Sequence, residues 1–182
     1  EWYEYYTLAN GAAMNTQRVV KHFKDGTAEG LGTASFNDGL GRTWRAGHRV
    51  GANSWSVTDT AYDFMGRVGW VSTPYLTDDL FGKLNPAGQW TTTEYDALGR
   101  VISVTTPDGA RVTTLYRDGA ATVTDPAGRQ RKFAYDALQR LVQVIEDPGG
   151  LAYVTGYQYD ALGNLRAVEQ GLIDGGSTRL AA

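Results

Sequence analysis

Five aspartates head one recurring pentad: Asp38-Gly-Leu-Gly-Arg42, Asp63-Phe-Met-Gly-Arg67, Asp96-Ala-Leu-Gly-Arg100, Asp136-Ala-Leu-Gln-Arg140 and Asp160-Ala-Leu-Gly-Asn164. Recurring carboxylates are candidates for paired acid/base work of the kind that cleaves glycosidic bonds. The glycine and arginine that accompany them point elsewhere. Asp at the first position of a turn accepts a hydrogen bond from the backbone N–H two residues on. Gly at the fourth position takes φ > 0 without a Cβ clash. The pentad therefore accounts for its own aspartates as turn residues, and we assign them no catalysis.

Other chemistry is thinly represented. His22 and His48 are the two histidines of the chain, with no second ligand at metal-site spacing, so they read as strand surface residues. Ser54 and Ser56 with Asp59 lack a nearby histidine, which leaves no hydrolase triad. Asp78-Asp79 reads as a solvated turn, because no ladder of oxygen ligands surrounds it. The absence of cysteine excludes disulfides, zinc–thiolate sites and cysteine nucleophiles. No metal or cofactor is expected.

Positioning these turns requires strands between them. The turn aspartates are spaced 25, 33, 40 and 24 residues apart. A second turn class falls between, at Asn85-Pro-Ala-Gly-Gln89, Asp125-Pro-Ala-Gly-Arg129 and Asp147-Pro-Gly-Gly150, with Pro107-Asp108-Gly109, Asp118-Gly119 and Asp25-Gly26 marking further reversals. Short stretches rich in Val, Thr, Tyr and Ile separate the signals, the pattern of many short antiparallel strands. Tyr62, Tyr95, Tyr135 and Tyr159 end incoming strands, where a ring packs while its hydroxyl stays wet. Arg42, Arg67, Arg100 and Arg140 open outgoing strands, each placed to lie along a Tyr ring or to pair with a turn Asp. Leu40, Met65, Leu98, Leu138 and Leu162 are unusual turn residues and are expected to fold back beneath the hairpin. Gln139 stands where Gly41, Gly66, Gly99 and Gly163 stand elsewhere, which predicts either strain or a relaxed turn.

Two slots of the outgoing strands are mostly apolar: Thr43, Val68, Val101, Leu141, Leu165, and three residues on Ala46, Val71, Val104, Val144, Val168. A separation of three places them on opposite faces of a regular strand, so either both faces are partly covered or a bulge intervenes. The hairpin from Val101 to Tyr116 is the clearest element. Toward the N-terminus, Gln17–Lys24 alternates weakly and suggests a hairpin at Asp25-Gly26, with a short helix over Thr16–Lys24 as the alternative.

Composition sets the outer bounds. Net charge is −3, from 17 basic and 20 acidic residues, with no basic patch, so nucleic acid is not expected as a partner. No apolar run is long enough to span a membrane, and no signal peptide is visible. The chain opens on Glu1, which reads as an excised fragment or a processed chain. All five tryptophans (Trp2, Trp44, Trp55, Trp70, Trp90) lie in the first half, and sheet packing is the preferred reading over stacking on a sugar or peptide.

The Tyr-Asp-x-x-Gly-Arg turns at Tyr62 and Tyr95, with imperfect copies at Tyr135 and Tyr159, resemble those of the RHS or YD-repeat family. That family includes bacterial Rhs polymorphic toxins, the B and C components of insecticidal toxin complexes, and animal teneurins. The resemblance covers about residues 36 to 170. It implies a long β-sheet that spirals into a hollow shell, enclosing a toxic polypeptide in the bacterial members. The family's core ends in Asp-Pro-x-Gly-Leu, tied to autoproteolysis. Asp147-Pro-Gly-Gly-Leu151 matches it superficially, but another Tyr-Asp turn follows at Tyr159, so we read an ordinary turn. Only 14 residues follow Val168, too few for a toxin domain.

The expectation is an all-β chain: consecutive antiparallel hairpins in one curved, open sheet, a segment of a spiralling shell. Residues 1–35 are expected to form irregular N-terminal strands, 36–170 the repeat sheet and 171–182 a C-terminal tail. The expected role is non-enzymatic wall around a polypeptide cargo in an exported or cell-surface bacterial protein. Its partners would be that cargo, the remaining repeats of the parent chain, or a second sheet edge. A carbohydrate-binding or adhesive surface built on the Trp-rich part is the alternative.

Overall fold

The computed structural model describes residues 2–8, 16–22, 32–51, 53–80, 84, 88–172 and 175–181; for 2–8, 16–22 and 175–181 it describes the backbone alone. The chain divides into two compact units, Glu1–Thr93 and Glu94–Ala182. The described residues are all strand, turn or loop.

The first unit holds β1 (Trp2–Leu8), β2 (Thr16–His22), β3 (Gly32–Asn37), β4 (Thr43–Gly51), β5 (Ser54–Tyr62), β6 (Val68–Ser72) and β7 (Tyr75–Thr77), and most of β8 (Trp90–Tyr95). The second holds β9 (Val101–Thr105), β10 (Arg111–Arg117), β11 (Ala120–Thr124), β12 (Gln130–Tyr135), β13 (Leu141–Glu146), β14 (Tyr153–Tyr159), β15 (Leu165–Leu172) and β16 (Gly175–Ala181). Hydrogen-bonded order follows sequence order in one open sheet, apart from β7, which pairs β5. The strand pairings are antiparallel throughout the described residues, as short strands joined by tight turns require. Thr16–His22 is a strand paired with both β1 and β3, so the hairpin reading holds over the helical one. Its turn at Asp25-Gly26, and the turn at Asn85, lie outside the described residues. Residues assigned above to a tail include a strand, β16, paired with β15.

The ambiguous three-residue spacing is a bulge. After each of four turns the pairing slips by one residue: Asn37 faces Thr43 but Phe36 faces Arg45. The same slip follows Tyr62/Val68, Tyr135/Leu141 and Tyr159/Leu165. One extra residue lets the two slots share a face, and it lets neighbours point the same way. At the first bulge, consecutive Trp44 and Arg45 are both buried.

The two units differ in what they bury. In the first, Ala34, Phe36, Trp44, Val57 and Leu80 form a core, with Trp55, Tyr75 and Leu84 packed against it. Phe36 and Trp44 meet with ring centroids 5.5 Å apart, a tilted aromatic pair. In the second, the described buried residues are small: Ser103, Ala120, Ala121, Ala152 and Ala167. That unit has no enclosed core of large side chains among its described residues. Cross-strand pairs and turn contacts must therefore hold it together.

Candidate functional site: turn clasps and a buried ion pair

The pentads build one local machine. In the first, Gly41 N–H donates to the Asp38 carbonyl at 2.9 Å and Asp38 N–H donates to the Arg42 carbonyl at 2.8 Å. Gly41 sits at φ 78°, the left-handed residue that completes a turn followed by a bulge. The Asp38 Oδ1 accepts from the N–H groups of Leu40 and Arg42, both at 2.9 Å. Its Oδ2 accepts from Arg42 Nε at 2.7 Å and Nη2 at 2.6 Å. One carboxylate thus holds two backbone N–H groups and one guanidinium. The clasp repeats at Asp63–Arg67, Asp96–Arg100 and Asp136–Arg140. Asn164 takes the arginine's place with an amide hydrogen bond to Asp160 Oδ2 at 3.0 Å.

One turn of the second class proposed from sequence, at Asp125, shares this geometry. Asp125 accepts from Ala127 N–H, Arg129 N–H and Arg129 Nε just as the Tyr-Asp turns do. Pro126 in place of Ala97 or Ala137 changes the side chain, not the hydrogen bonding. Gln139 does not relax the turn either. It holds φ 62° and donates its N–H to the Asp136 carbonyl at 2.9 Å. Since an L side chain there costs about 1 kcal/mol or more, Gln139→Gly is expected to raise stability by about 1 kcal/mol, read as a higher urea midpoint at unchanged slope.

The third-position side chains overturn the expectation that they fold beneath the hairpin. Leu40, Met65, Leu98, Leu138 and Leu162 are between 65% and 88% exposed. The cause is the clasp: the N–H of this residue turns inward to the Asp Oδ1, and that sends its Cβ outward to solvent.

The tyrosines couple one turn to the next. In the first unit the Arg42 guanidinium lies 4.4 Å over the Tyr62 ring, and Tyr62 donates its hydroxyl to the Thr43 carbonyl at 2.7 Å. In the second, Arg140 lies 5.0 Å over Tyr159, whose hydroxyl donates to the Leu141 carbonyl at 2.9 Å. Each of these tyrosines belongs to one pentad and locks onto the arginine and the strand start of the pentad before it. Arg100 uses Tyr116 in the same manner at 4.1 Å. At Tyr62-Asp63 and Tyr159-Asp160 the dipeptide therefore does two jobs: Asp closes its own turn and Tyr ties that turn to its neighbour.

A third feature escaped the sequence. Arg45 on β4 faces Asp59 on β5, and both side chains are fully buried. Arg45 Nε and Nη2 donate to Asp59 Oδ1 and Oδ2 at 2.6 and 2.9 Å, and Nη1 donates to the Leu80 carbonyl at 3.0 Å. The Tyr75 hydroxyl donates to Asp59 Oδ2 at 2.7 Å and lies 2.8 Å from Arg45 Nη2, and the Ser72 hydroxyl accepts from Asp59 N–H at 2.9 Å. Burial alone would lower the Arg45 pKa; the hydrogen bonds and charge of Asp59 outweigh it and hold the pKa above its ordinary value. Desolvation, then the hydrogen bond to Asp59, pushes the Tyr75 hydroxyl up to about 12. Every polar atom faces another within the network, so it binds strands together rather than presenting a reagent. A hairpin reversal counted from Gly51 and Ser54 would set Arg45 opposite Thr60; the one-residue slip between Arg49 and Gly51 is what brings it opposite Asp59.

The remaining candidates stay apart. Thr77 and Asp79 close a local turn through Asp79 N–H to Thr77 Oγ1 at 3.0 Å. Among the described residues no group of His, Asp and Glu is arranged to hold a metal. Trp44 and Trp55 belong to the core, whereas Trp70 is 42% exposed. His22 is described by backbone alone. At Asp147-Pro-Gly-Gly-Leu151, Gly150 and Ala152 N–H both donate to the Asp147 carbonyl, the bonding of a tight turn.

The clasps carry a pH signature. The turn aspartates lie below their ordinary value of 3.8, Asp38 chiefly through its Arg42 hydrogen bond and Asp136 chiefly through the Arg140 N–H. A depressed folded pKa adds stability above the unfolded value, and that stability is lost as pH falls through the folded one. Tyr75 works in the opposite sense: its stabilising proton is retained below pH 10.0 and lost toward about 12. Urea midpoints are expected to plateau between these limbs, with Tyr75→Phe removing the alkaline limb.

Residues 82–111 and 117–152 match the RHS Repeat family. Three solved structures superimpose on the chain. The Photorhabdus luminescens Tc holotoxin pore with a mutated TccC3 is 20% identical, covering 86% of this chain and 10% of that one, at a TM-score of 0.69. TcdB2-TccC3 without its hypervariable C-terminal region is 19% identical, covering 85% of this chain and 10% of that one, at 0.68. TcdB2-TccC3-TEV is 18% identical, covering 93% and 12%, at 0.69. The chain thus spans about a tenth of the length of the structures it matches. No curated protein matches it in sequence.

Proposed function

We propose, from the match of residues 82–111 and 117–152 to the RHS Repeat family, that this chain is a stretch of non-enzymatic wall in a larger shell around a polypeptide cargo. Its mechanism is exclusion: hydrogen-bonded strands leave no opening for a protease or for bulk solvent, and no reaction centre is required. The observation that carries the reading is the saturation of the turn aspartates. Their Oδ1 atoms are taken by backbone N–H groups and their Oδ2 atoms by arginine or asparagine, so the recurring carboxylates do architecture. The lock from Tyr to the preceding Arg supports it, because it propagates one hairpin to the next. The fold is that of Tc toxin subunits, one of which carries a hypervariable C-terminal region, and a variable cargo beside a constant wall fits that arrangement.

The carbohydrate-binding alternative is not favoured, since two of its tryptophans, Trp44 and Trp55, are engaged in the core. The reading places the parent protein among exported bacterial proteins.

The test is proteolysis of the parent chain. Deleting residues 121–143, which takes out two strands' worth of chain and joins Ala120 to Val144 in register, is expected to make an enclosed segment at least tenfold more sensitive to a broad-specificity protease. Unchanged protection in a folded deletion variant would overturn the wall reading.

A further inference from the structure

One rule of register places arginines over tyrosines in this chain. Continued to the turn, the pairing of β4 with β5 sets Arg42 opposite Tyr62. That of β9 with β10 sets Arg100 opposite Tyr116, and that of β13 with β14 sets Arg140 opposite Tyr159. Each guanidinium lies over the ring it faces, at 4.4, 4.1 and 5.0 Å. Each also donates its Nε–H to the aspartate of its own turn, Asp38, Asp96 or Asp136. The arginine is thus held between a carboxylate and a tyrosine ring three times over.

The pairing of β11 with β12 breaks the series. There Tyr135 faces Gly119, and its N–H donates to the Gly119 carbonyl at 3.1 Å. The turn that opens β11 is Asp118-Gly119, two residues between the paired Arg117 and Ala120, too short for a pentad. Gly119 holds φ 72°, which an L side chain enters at a cost, so the backbone of this turn favours glycine where the others carry arginine. Beyond its flanking residues, a Cβ on Gly119 would meet only the Tyr135 carbonyl oxygen, at 3.8 Å, so the space above it is open. Tyr135 is accordingly 39% exposed, whereas Tyr62, Tyr116 and Tyr159 are half-buried. No cation of the described residues lies over its ring.

The carboxylate of the series is still present. Asp118 lines the same cleft of about 590 Å³ as Gly119, Tyr135 and Gln139. It meets Arg117 Nε at 3.2 Å, with the two side chains 85% and 80% exposed, and a surface pair of that kind contributes little and exchanges readily.

The geometry points to a binding site for the guanidinium of an arginine side chain carried by a second polypeptide. The cation lies on the Tyr135 ring in the space above Gly119, and the Asp118 carboxylate accepts its N–H groups. The chain itself identifies the occupant, since arginine fills the equivalent place over Tyr62, Tyr116 and Tyr159. A planar guanidinium stacks on a ring while donating in its own plane, which an ammonium does not. An arginine within a polypeptide brings that group without the α-carboxylate that free arginine would set near Asp118. The site goes beyond the wall reading and does not rest on it.

The probe is the blocked tripeptide acetyl-Ser-Arg-Ser-amide, added to the intact chain with its tyrosine rings carbon-13 labelled. The Tyr135 ring signals are expected to shift and to saturate in the millimolar range, while those of Tyr62 and Tyr159, already covered by Arg42 and Arg140, stay in place. The tripeptide with citrulline, neutral and of the same shape, is expected to bind at least tenfold more weakly, and that with lysine severalfold more weakly. Asp118→Asn is expected to weaken binding severalfold, and Tyr135→Leu to abolish it, read by saturation transfer to the tripeptide. Lys132→Ala, beside Thr122 and Ile145 on the opposite face, leaves binding unchanged. If Tyr135→Leu disturbs the sheet, seen in its amide spectrum, Asp118→Asn decides, because that side chain is exposed. No Tyr135 shift at tens of millimolar tripeptide, equal binding of the citrulline peptide, or full binding by both variants each overturns the site. Free arginine binding more tightly than the tripeptide overturns its polypeptide source.

Discussion

Arg45→Met is expected to lower the stability of the first unit by about 3–5 kcal/mol, the cost of leaving a buried charge without its partner. The carboxylate of Asp59 is fully buried, and two of the donors it relies on leave with the guanidinium. Tyr75 and the Ser72 contact remain, and neither supplies a charge. Since a domain's whole stability is about 5–15 kcal/mol, the loss is a large share of it. Asp59→Leu alone is expected to match it, because an unpaired buried guanidinium is equally costly. The double variant Arg45→Met/Asp59→Leu is expected to recover most of the loss, since the cavity is then lined by apolar groups and no charge is stranded. Urea unfolding of the four proteins measures the coupling. Additive losses in the double variant would show that the pair does not act as a unit.

Phe36→Ala is expected to cost about 3–5 kcal/mol, the range for removing a large aromatic side chain from a close-packed site. Phe36 is fully buried, tilted against Trp44, and directly opposite Arg45 across the sheet. Its removal opens a void beside the ion pair as well as beside Trp44. The void is apolar on one side and charged on the other, so collapse to fill it is hindered. Phe36→Leu keeps most of the volume and is expected to cost less than half as much. The reading fails if Phe36→Ala shifts the urea midpoint no more than a surface substitution such as Thr33→Ala.

What could be read from the residues follows how far each interaction reaches along the chain. The turn pentads involve atoms four residues apart, so Asp, Gly and Arg disclosed the hairpins, their glycine conformation and the carboxylate's hydrogen bonds. Strands between turns followed, as did the open all-β architecture. The Arg45–Asp59 pair stayed hidden because it depends on cross-strand register, and that register passes through a slip between Arg49 and Gly51. The orientation of Leu98 and Leu138 was misjudged for a related reason. Hydrophobicity suggested burial, whereas the inward demand of a single N–H decided the direction of the Cβ. The likeness of the Asp125 turn to the Tyr-Asp turns was missed because proline masked a shared bonding scheme.

The Tyr-to-Arg lock joins turns that leave the sheet on the same side, Arg42 with Tyr62 and Arg140 with Tyr159, and two strands intervene in each case. That parity sets the quantum in which such a chain grows or shrinks during evolution. Gain or loss of a strand pair regenerates every downstream lock and keeps each residue on its original surface. Gain or loss of one strand would strand a tyrosine at the far border and invert everything after it. Length variants of this chain should accordingly differ by even numbers of strands, and odd ones should be purged.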